Sequence, residues 1–268
     1  MISRLAICSK SRWLARAVFA EICRAVTARE RSLWIPLVAL SLLLPGMAPA
    51  SNVNGRVELV FSKDPNVRKH MDYSGVVVWL EPLTGPAALP TKAPQAEMIQ
   101  KGKTFSPHVL AITLGTTVNF PNYDPIFHNA FSKYDGQIFD IGLYPPGTTR
   151  SIAFRREGVV RVFCNIHPAM SAVILVLKSP YFSVSDKNGS FQIAGVPPGS
   201  YRIHVFHERA TEQILAALNR TIEIADERVQ LPPISVSESG YLQLPHTNKY
   251  GKDYPPGSDA LGYPGTKP

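Results

Sequence analysis

The most informative part of the sequence is Gly158-Val-Val-Arg-Val-Phe-Cys-Asn-Ile-His-Pro-Ala-Met-Ser-Ala-Val-Ile-Leu-Val-Leu177. Its two ends are apolar runs rich in β-branched residues, and each has the length of one β-strand. The segment between them, Cys164–Met170, follows one strand and precedes the next, so we predict that it is the loop that joins them. This loop brings a thiol, an imidazole and a thioether together within seven residues.

From Ser51 onward the chain continues this pattern of short strands and turns. Proline (24) and glycine (18) make up about one residue in six, which favours many turns and argues against a helical bundle or a coiled coil. Turn sequences such as Pro145-Pro146-Gly147 and Asn188-Gly189 separate the apolar runs. We therefore predict an all-β fold, an antiparallel sandwich or barrel. The other predicted strands are 56–61, 75–80, 108–114, 118–120, 151–154, 190–196, 200–205, 221–224 and 229–231, with a short helix possible over 211–219.

The N-terminal fifty residues have the pattern of an export signal. Residues 33–44 are an apolar run, seven Lys and Arg residues precede it, and Ala48-Pro49-Ala50 follows it as a small-residue cleavage site. We predict that residues 1–50 are a cleaved signal peptide. The mature chain would begin near Ser51, in the periplasm or outside the cell, without a membrane span. The alternative is an uncleaved N-terminal anchor.

Removal of this segment changes what the cysteines and the net charge imply. Cys8 and Cys23 leave with the signal, so Cys164 is the single thiol of the mature chain and has no internal disulfide partner. The same removal leaves 21 basic and 18 acidic residues over 51–268, a balance of +3 instead of +8. No cluster of lysine and arginine follows residue 31, so the sequence does not predict a nucleic-acid partner.

A second imidazole stands upstream, where His128 follows a predicted strand and a proline-containing turn. Two histidines, one cysteine and one methionine are the donor set of a blue-copper electron-transfer centre, in which methionine is the weak axial ligand. A lone cysteine at a strand end is otherwise often a small buried hydrophobe, and a Cys–His pair can be a catalytic nucleophile. No known local signature of an orienting residue or an oxyanion hole accompanies the pair, so we predict a metal site and no enzyme activity.

The stretch from about Phe105 to Leu177 resembles the cupredoxins, the family of small blue copper proteins. The resemblance rests on Phe105-x-Pro107, Gly115-x-x-Val118-x-Phe120-x-Asn122, His128-Asn129 and Cys164-x-x-His167-x-x-Met170. It implies a Greek-key β-sandwich that binds one type 1 copper ion through His128, Cys164, His167 and Met170. It also implies single-electron transfer with a redox partner, either a dehydrogenase or a c-type cytochrome. The short loop is similar to the amicyanin type, which implies a role in methylamine utilization.

The same resemblance assigns roles to neighbours of the ligands. In the family, the asparagine after the first histidine ties the two ligand loops together by hydrogen bonds, and Asn129 matches that position. The C-terminal ligand histidine of the family lies at an exposed apolar patch through which electrons pass. Here the matching residue is His167, next to Pro168 and Ala169, although a chain of this length could cover part of the patch.

A second module is predicted after residue 178. Its pattern resembles the carboxypeptidase regulatory-like, or transthyretin-like, β-sandwich, which implies a fold and no particular activity. We predict a cupredoxin domain over 51–178, this module over 179–236 and an extended tail over 237–268. The matching residues are Asp186-x-x-Gly189-x-Phe191-x-Ile193-x-x-Val196-Pro197-Pro198-Gly199-x-Tyr201-x-Ile203.

Residues 51–81 have two possible places in this organisation. They could pair with the second module, in which case the cupredoxin is inserted into it. We favour the other possibility, that they supply the first strands of the cupredoxin, because Phe105–Leu177 alone contains too few predicted strands to close a sandwich.

Other functions fit parts of the pattern. A module for copper delivery or storage is the main alternative to an electron carrier, but such proteins favour exposed, exchangeable ligands. A structural protein that has lost copper would not be expected to retain all four donors. Among the other histidines, His108 is predicted to be structural, and the spacing of His204 and His207 favours exposure to solvent.

Overall fold

Almost all of the regular structure is β-strand. The computed structural model describes residues 50–133, 136–225, 228–242 and 245–256, so the predicted signal peptide lies outside the described residues except for Ala50. Within these ranges neither of the two helices, α1 (Pro65–His70) and α2 (Glu212–Ala217), has the length and apolar character needed to cross a membrane. The predicted all-β fold is confirmed. The strands are β1 (Ser51–Val60), β2 (Val77–Pro82), β3 (Gln95–Glu97), β4 (Ile99–Lys101), β5 (Thr104–Ser106), β6 (Val109–Thr113), β7 (Thr117–Pro121), β8 (Phe131–Ser132), β9 (Phe139–Asp140), β10 (Thr149–Ala153), β11 (Gly158–Phe163), β12 (Ser171–Leu177), β13 (Phe182–Val184), β14 (Ser190–Val196), β15 (Gly199–Phe206), β16 (Arg220–Ile224), β17 (Arg228–Gln230) and β18 (Ile234–Ser237).

The loop Cys164–Met170 belongs to a sandwich formed by β3–β12, here called the Cys164 sandwich. One sheet has the strand order β6-β12-β11-β8-β9, the other has the order β10-β7-β3, and β4 pairs with β5 in a separate ribbon. Strand β6 runs parallel to β12, whereas β11 runs antiparallel to it. The core that the described residues form between the sheets contains five aromatic residues among its sixteen buried ones, and Phe120, Phe154 and Tyr144 are fully buried.

Strand β12 is buried on both of its faces. Successive side chains of a strand point to opposite faces of a sheet, and the even-numbered residues from Ala172 to Val176 pack in the core of the Cys164 sandwich. The odd-numbered residues from Val173 to Leu177 pack in a different apolar cluster. This two-sided burial explains why the run has no polar residue after Ser171, since neither face of the strand meets water.

A second sandwich, here called the flanking sandwich, is formed by β1, β2 and β13–β18. One sheet has the order β14-β1-β17, with β18 also paired to β1, and the other has the order β13-β2-β15-β16. Its core is mostly aliphatic, and Val53, Val57, Leu80, Ile193 and Ile203 are among its buried residues. The predicted strands 190–196 and 200–205 correspond to β14 and β15.

The N-terminal strands belong to the flanking sandwich, which corrects one sequence expectation. Gly55 pairs with Phe191 between β1 and β14, and Val78 pairs with Val205 between β2 and β15. The expectation that residues 51–81 supply the first strands of the cupredoxin is therefore wrong. The Cys164 sandwich completes its sheets instead with β3, β8 and β9, which have two or three residues each and are too short to show a sequence period. The chain enters this sandwich after β2 and leaves it before β13, as the insertion hypothesis requires.

The two sandwiches are joined along β12. The cluster on its outer face includes Val77 of β2 and Phe206 of β15. Beside this cluster the ring of His108 is hydrogen-bonded to Glu208 (Nε2–Oε1 2.8 Å) and to the carbonyl of Ser171 (Nδ1–O 3.1 Å). The hydrogen bond to Glu208 is the main reason why the pKa of His108 is raised, as expected for a ring that donates from both nitrogens. His108 is therefore structural, as predicted, and links β6 to the end of β15.

The pairing of β1 with β14 can be tested at Gly55. A Cβ at this position would overlap the ring of Phe191. We expect Gly55→Val to reduce the free energy of unfolding by about 1–3 kcal/mol, because overpacking of a closed core forces neighbouring side chains to move. Arg56→Val, at the next and exposed position of β1, should change it by less than about 0.5 kcal/mol. Urea unfolding of both variants measures the difference, and an unchanged midpoint for Gly55→Val would contradict the pairing.

A buried ionic cluster holds the chain just after β18. Glu238 accepts hydrogen bonds from Ser62 (Oγ–Oε2 2.6 Å), His207 (Nε2–Oε1 2.8 Å) and Arg209 (Nε–Oε1 3.1 Å). Burial alone would raise the pKa of Glu238, but the three donors outweigh it and lower the pKa to about 2. His207 is buried with this carboxylate, so the expectation that its spacing to His204 places it in solvent is wrong.

The Glu238 cluster should make the fold sensitive to acid. A carboxylate whose pKa falls from 4.5 to about 2 on folding stabilises the folded state above the higher value and loses that contribution as the pH approaches the lower one. Between about pH 5 and about pH 2, we expect the free energy of unfolding of the wild type to fall by up to about 3 kcal/mol more than that of Glu238→Gln. Denaturant unfolding across this range measures both proteins, and parallel losses of stability would refute the expectation.

Candidate metal centre

Three of the predicted donors meet in the interior of the Cys164 sandwich. The sulfur of Cys164 lies 3.9 Å from Nδ1 of His128 and 3.7 Å from Nδ1 of His167, and the two ring centroids are 4.9 Å apart. All three residues are at most 2% exposed. Their donor atoms lie within 4.8 Å of one another, and no other group of three or more His, Cys, Asp or Glu side chains in the described ranges is arranged to hold a metal ion.

Strand ends and loop hydrogen bonds place these donors. Cys164 directly follows β11, and the loop returns to the sheet at the start of β12. Two backbone hydrogen bonds close the loop, from the N–H of Cys164 to the carbonyl of Met170 (3.1 Å) and from the N–H of Met170 to the carbonyl of His167 (3.0 Å). His128 precedes β8 and exchanges two backbone hydrogen bonds with Tyr144. The donors therefore sit on backbone that is fixed at both ends.

The orientation of the His128 ring is set by Asp124. Nε2 of His128 lies 2.7 Å from Oδ2 of Asp124, whose carboxylate also accepts the backbone N–H groups of Gly102 and Lys103. Burial alone would raise the pKa of Asp124, but these hydrogen bonds outweigh it and lower that pKa. Burial lowers the pKa of His128, against the opposing effect of Asp124. His128 is therefore a neutral imidazole with its proton on Nε2 and its lone pair on Nδ1, the atom that faces the sulfur.

Asp124 is a candidate functional residue that the sequence pattern does not reveal. It stands four residues before His128 in a turn, where an aspartate is ordinarily explained by hydrogen bonds to its own backbone. The available signal is chemical, because a metal-binding histidine commonly donates its second N–H to a carboxylate. A search for acidic residues near each predicted ligand would have singled it out.

The sulfur of Cys164 lies in a pocket of backbone amides. Burial raises the pKa of the thiol, while the backbone N–H groups of Ile166, Asn129 and His167 act in the opposite direction. The Asn129 side chain also accepts the N–H of Asn165 at 3.3 Å and so connects the loop of His128 with the loop of Cys164. The linking role that the cupredoxin resemblance gives to Asn129 is confirmed.

The fourth predicted ligand, Met170, is fully buried in the same core as Cys164. Its backbone closes the loop that carries the other two loop donors. Methionine also fills gaps in apolar cores without binding metal. Its role as the axial ligand therefore stays a prediction.

The residues present fit copper by their chemistry. A thiolate and two neutral imidazoles are donors that copper accepts in both of its common oxidation states, whereas calcium and magnesium prefer carboxylates and water. Both histidines turn the same ring atom, Nδ1, toward the sulfur, so the three donors converge on one point. This arrangement is what the sequence pattern predicts for His128, Cys164 and His167.

Comparison with known proteins identifies the family. The methylamine utilization protein MauL of Methylorubrum extorquens is 34% identical to this chain over 82 residues, which are 30% of this chain and 72% of MauL. The chain belongs to the MauL family. None of the established protein-family models matches the sequence.

Solved structures similar to this MauL relative include two small cupredoxins. The purple cupredoxin of Nitrosopumilus maritimus is 28% identical and matches 31% of this chain and 99% of its own, with a TM-score of 0.29. Amicyanin of Paracoccus versutus is 21% identical and matches 37% of this chain and 97% of its own, with a TM-score of 0.29. The recognition of a cupredoxin in the sequence is confirmed, whereas the transthyretin-like assignment stays a prediction.

The contribution of Asp124 can be measured with copper. We expect Asp124→Asn to weaken Cu(II) binding by about 10- to 100-fold, the usual cost of losing the partner of a metal-binding histidine. We also expect a higher reduction potential, because a buried carboxylate near the site favours the more positive oxidation state. Competition with a chelator and potentiometry give the two quantities.

The matched control for this experiment is Glu157→Gln, which removes an exposed carboxylate from the same sandwich. It should leave both quantities unchanged. Wild-type affinity and potential in Asp124→Asn would mean that the carboxylate has no influence on the site.

Proposed function

We propose that this protein is an exported type 1 copper protein that carries single electrons between redox partners. The observation that supports the proposal is the convergence of Nδ1 of His128, Nδ1 of His167 and Sγ of Cys164 in a closed interior site. Met170, buried at the end of the same loop, is proposed as the axial ligand. We propose one copper ion per chain.

The fixed positions of the donors suit electron transfer more than catalysis. Copper supplies a one-electron couple when it is bound. The chain supplies donors that need not move when the charge of the site changes, because Asp124 holds His128 and backbone hydrogen bonds close the loop that carries Cys164. A site that moves little between its two redox states has a low barrier to electron exchange.

Burial of the donors argues against the delivery or storage alternative. A protein that hands copper to another needs ligands that the acceptor can reach. Here His128, Cys164 and His167 are at most 2% exposed, so copper could leave only after the loop opened. The same burial suits a carrier, which exchanges electrons and keeps its metal.

The biological setting follows from the relative and from the N-terminal pattern. The related MauL is named a methylamine utilization protein, and we propose that this chain serves methylamine utilization with a dehydrogenase or a c-type cytochrome as redox partner. We propose export to the periplasm or the cell exterior through the signal predicted over residues 1–50. In support, β1 begins at Ser51, directly after the predicted cleavage site.

Addition of copper to the purified protein tests the proposed function. We expect one equivalent of Cu(II) to produce an intense visible absorption band from thiolate-to-copper charge transfer, which a reductant bleaches and an oxidant restores. Cys164→Ser should abolish the band because it removes the thiolate. His70→Ala is the matched control, since His70 is exposed at the end of α1, and it should keep the full band.

Two outcomes would overturn the carrier proposal. A colourless protein that binds copper and gives it up quickly to a small chelator would favour delivery or storage. A protein that binds no copper would leave the MauL relationship without a metal function in this chain.

A further inference from the structure

The segment Pro245–Tyr254, here called the C-terminal clamp, lies against the loop that carries the metal donors. It falls within the extended tail predicted over residues 237–268, and its sequence has no apolar period that would indicate a contact. Its side chains and backbone nevertheless bind the Cys164 sandwich at several points. The clamp is therefore ordered by polar contacts, which a periodicity search does not detect.

Three polar groups of the metal loop are bound by the clamp from outside. Two of them are backbone carbonyls and one is a side-chain amide oxygen. The bonds run from Tyr254 Oη to the Cys164 carbonyl (2.8 Å), from His246 Nε2 to the Pro168 carbonyl (2.9 Å) and from the Lys249 N–H to Asn165 Oδ1 (3.0 Å).

The clamp also binds the side of the site that carries His128. Lys249 Nζ lies 2.8 Å from Oδ2 of Asp140, and the other oxygen of Asp140 accepts the side-chain amide of Asn129 at 2.7 Å. Lys133, just beyond β8, donates to the clamp at two points. The two donor loops are thus connected to each other through the clamp as well as through Asn129.

An aromatic contact and an internal turn also fix the conformation of the clamp. The His246 ring packs on Phe163, the residue before Cys164, with centroids 4.0 Å apart and planes at 30°. A tight turn forms between Asn248 and Lys252, closed by a backbone hydrogen bond of 2.9 Å. Because the turn already restricts the chain, less conformational entropy is lost when the clamp docks than for a structureless tail.

We propose that the C-terminal clamp is a positioning element of the metal centre and that Tyr254 is its main positioning residue. Tyr254 binds the carbonyl of Cys164, the same residue whose sulfur is the proposed thiolate ligand. A hydrogen bond at that carbonyl restricts the backbone that orients the sulfur. The clamp should therefore keep the thiol enclosed when metal is absent and hold the ligand set when metal is bound. This inference rests on the proposed copper function, but its contacts concern only residues of this chain.

The first test uses the metal-free protein. We expect Tyr254→Phe to increase the rate at which iodoacetamide alkylates Cys164 by roughly fivefold, the size expected for loss of one neutral hydrogen bond. Mass spectrometry of the Cys164 peptide gives the rate. Tyr201→Phe is the matched control, because the Tyr201 hydroxyl donates a hydrogen bond of the same length to a backbone carbonyl, that of Pro197 (2.8 Å), within the flanking sandwich. It should react like the wild type.

The second test uses the copper-loaded protein. Tyr254→Phe should shift the thiolate-to-copper absorption band and release copper to a chelator faster by a similar factor, while Tyr201→Phe should do neither. If the clamp only stabilised the fold, Tyr254→Phe would lower the unfolding temperature without shifting the absorption band.

The outcomes of the two tests separate the clamp from the copper function. Wild-type alkylation in Tyr254→Phe, or equal acceleration in both tyrosine variants, overturns the clamp. If the chain binds no copper, the proposed function fails, and the alkylation rates still decide whether the clamp restrains Cys164.

Discussion

Strand β12 is shared by two apolar cores, and this double burial fixes its register. Its side chains fill the core of the Cys164 sandwich on one face and the contact with the flanking sandwich on the other. A shift of one residue in its register would exchange the two sets, so the strand has only one position that satisfies both cores. The metal loop ends where β12 begins, and its position is therefore set by the packing of both sandwiches.

Polar contacts set the orientation of the donor side chains within the loops that this packing positions. His128 directs Nδ1 toward the sulfur because Asp124 occupies Nε2, and the Cys164 sulfur meets backbone amides from both donor loops. These groups are buried, and a buried polar group without a partner is costly. The same hydrogen bonds that satisfy the backbone and the carboxylate therefore also hold the donor atoms in place.

The arrangement of the two sandwiches has a simple geometric basis. Strands β2 and β13, which border the inserted segment, pair with each other, so Trp79 lies opposite Phe182. The two ends of the insertion are consequently neighbours. The Cys164 sandwich can therefore be inserted between β2 and β13 without interrupting the sheet that these strands form. The flanking sandwich contributes none of the three converging donors, and the apolar cluster that it shares with the Cys164 sandwich lies on the outer face of β12.

The all-β character, most of the longer strands and the converging donors can be read from the sequence, because they depend on local periodicity and on side-chain chemistry. Cys164 and His167 lie on one loop whose flanking strands are unmistakable, and His128 stands after a predicted strand. The place of residues 51–81 in the flanking sandwich cannot be read from the sequence, since strand pairing rests on distant contacts such as Gly55 against Phe191. The hydrogen-bond partners of polar side chains likewise depend on contacts between distant parts of the chain. Tyr254 reaches the carbonyl of Cys164 across 90 residues of chain, and a hydrogen bond of that range leaves no periodic trace in the sequence.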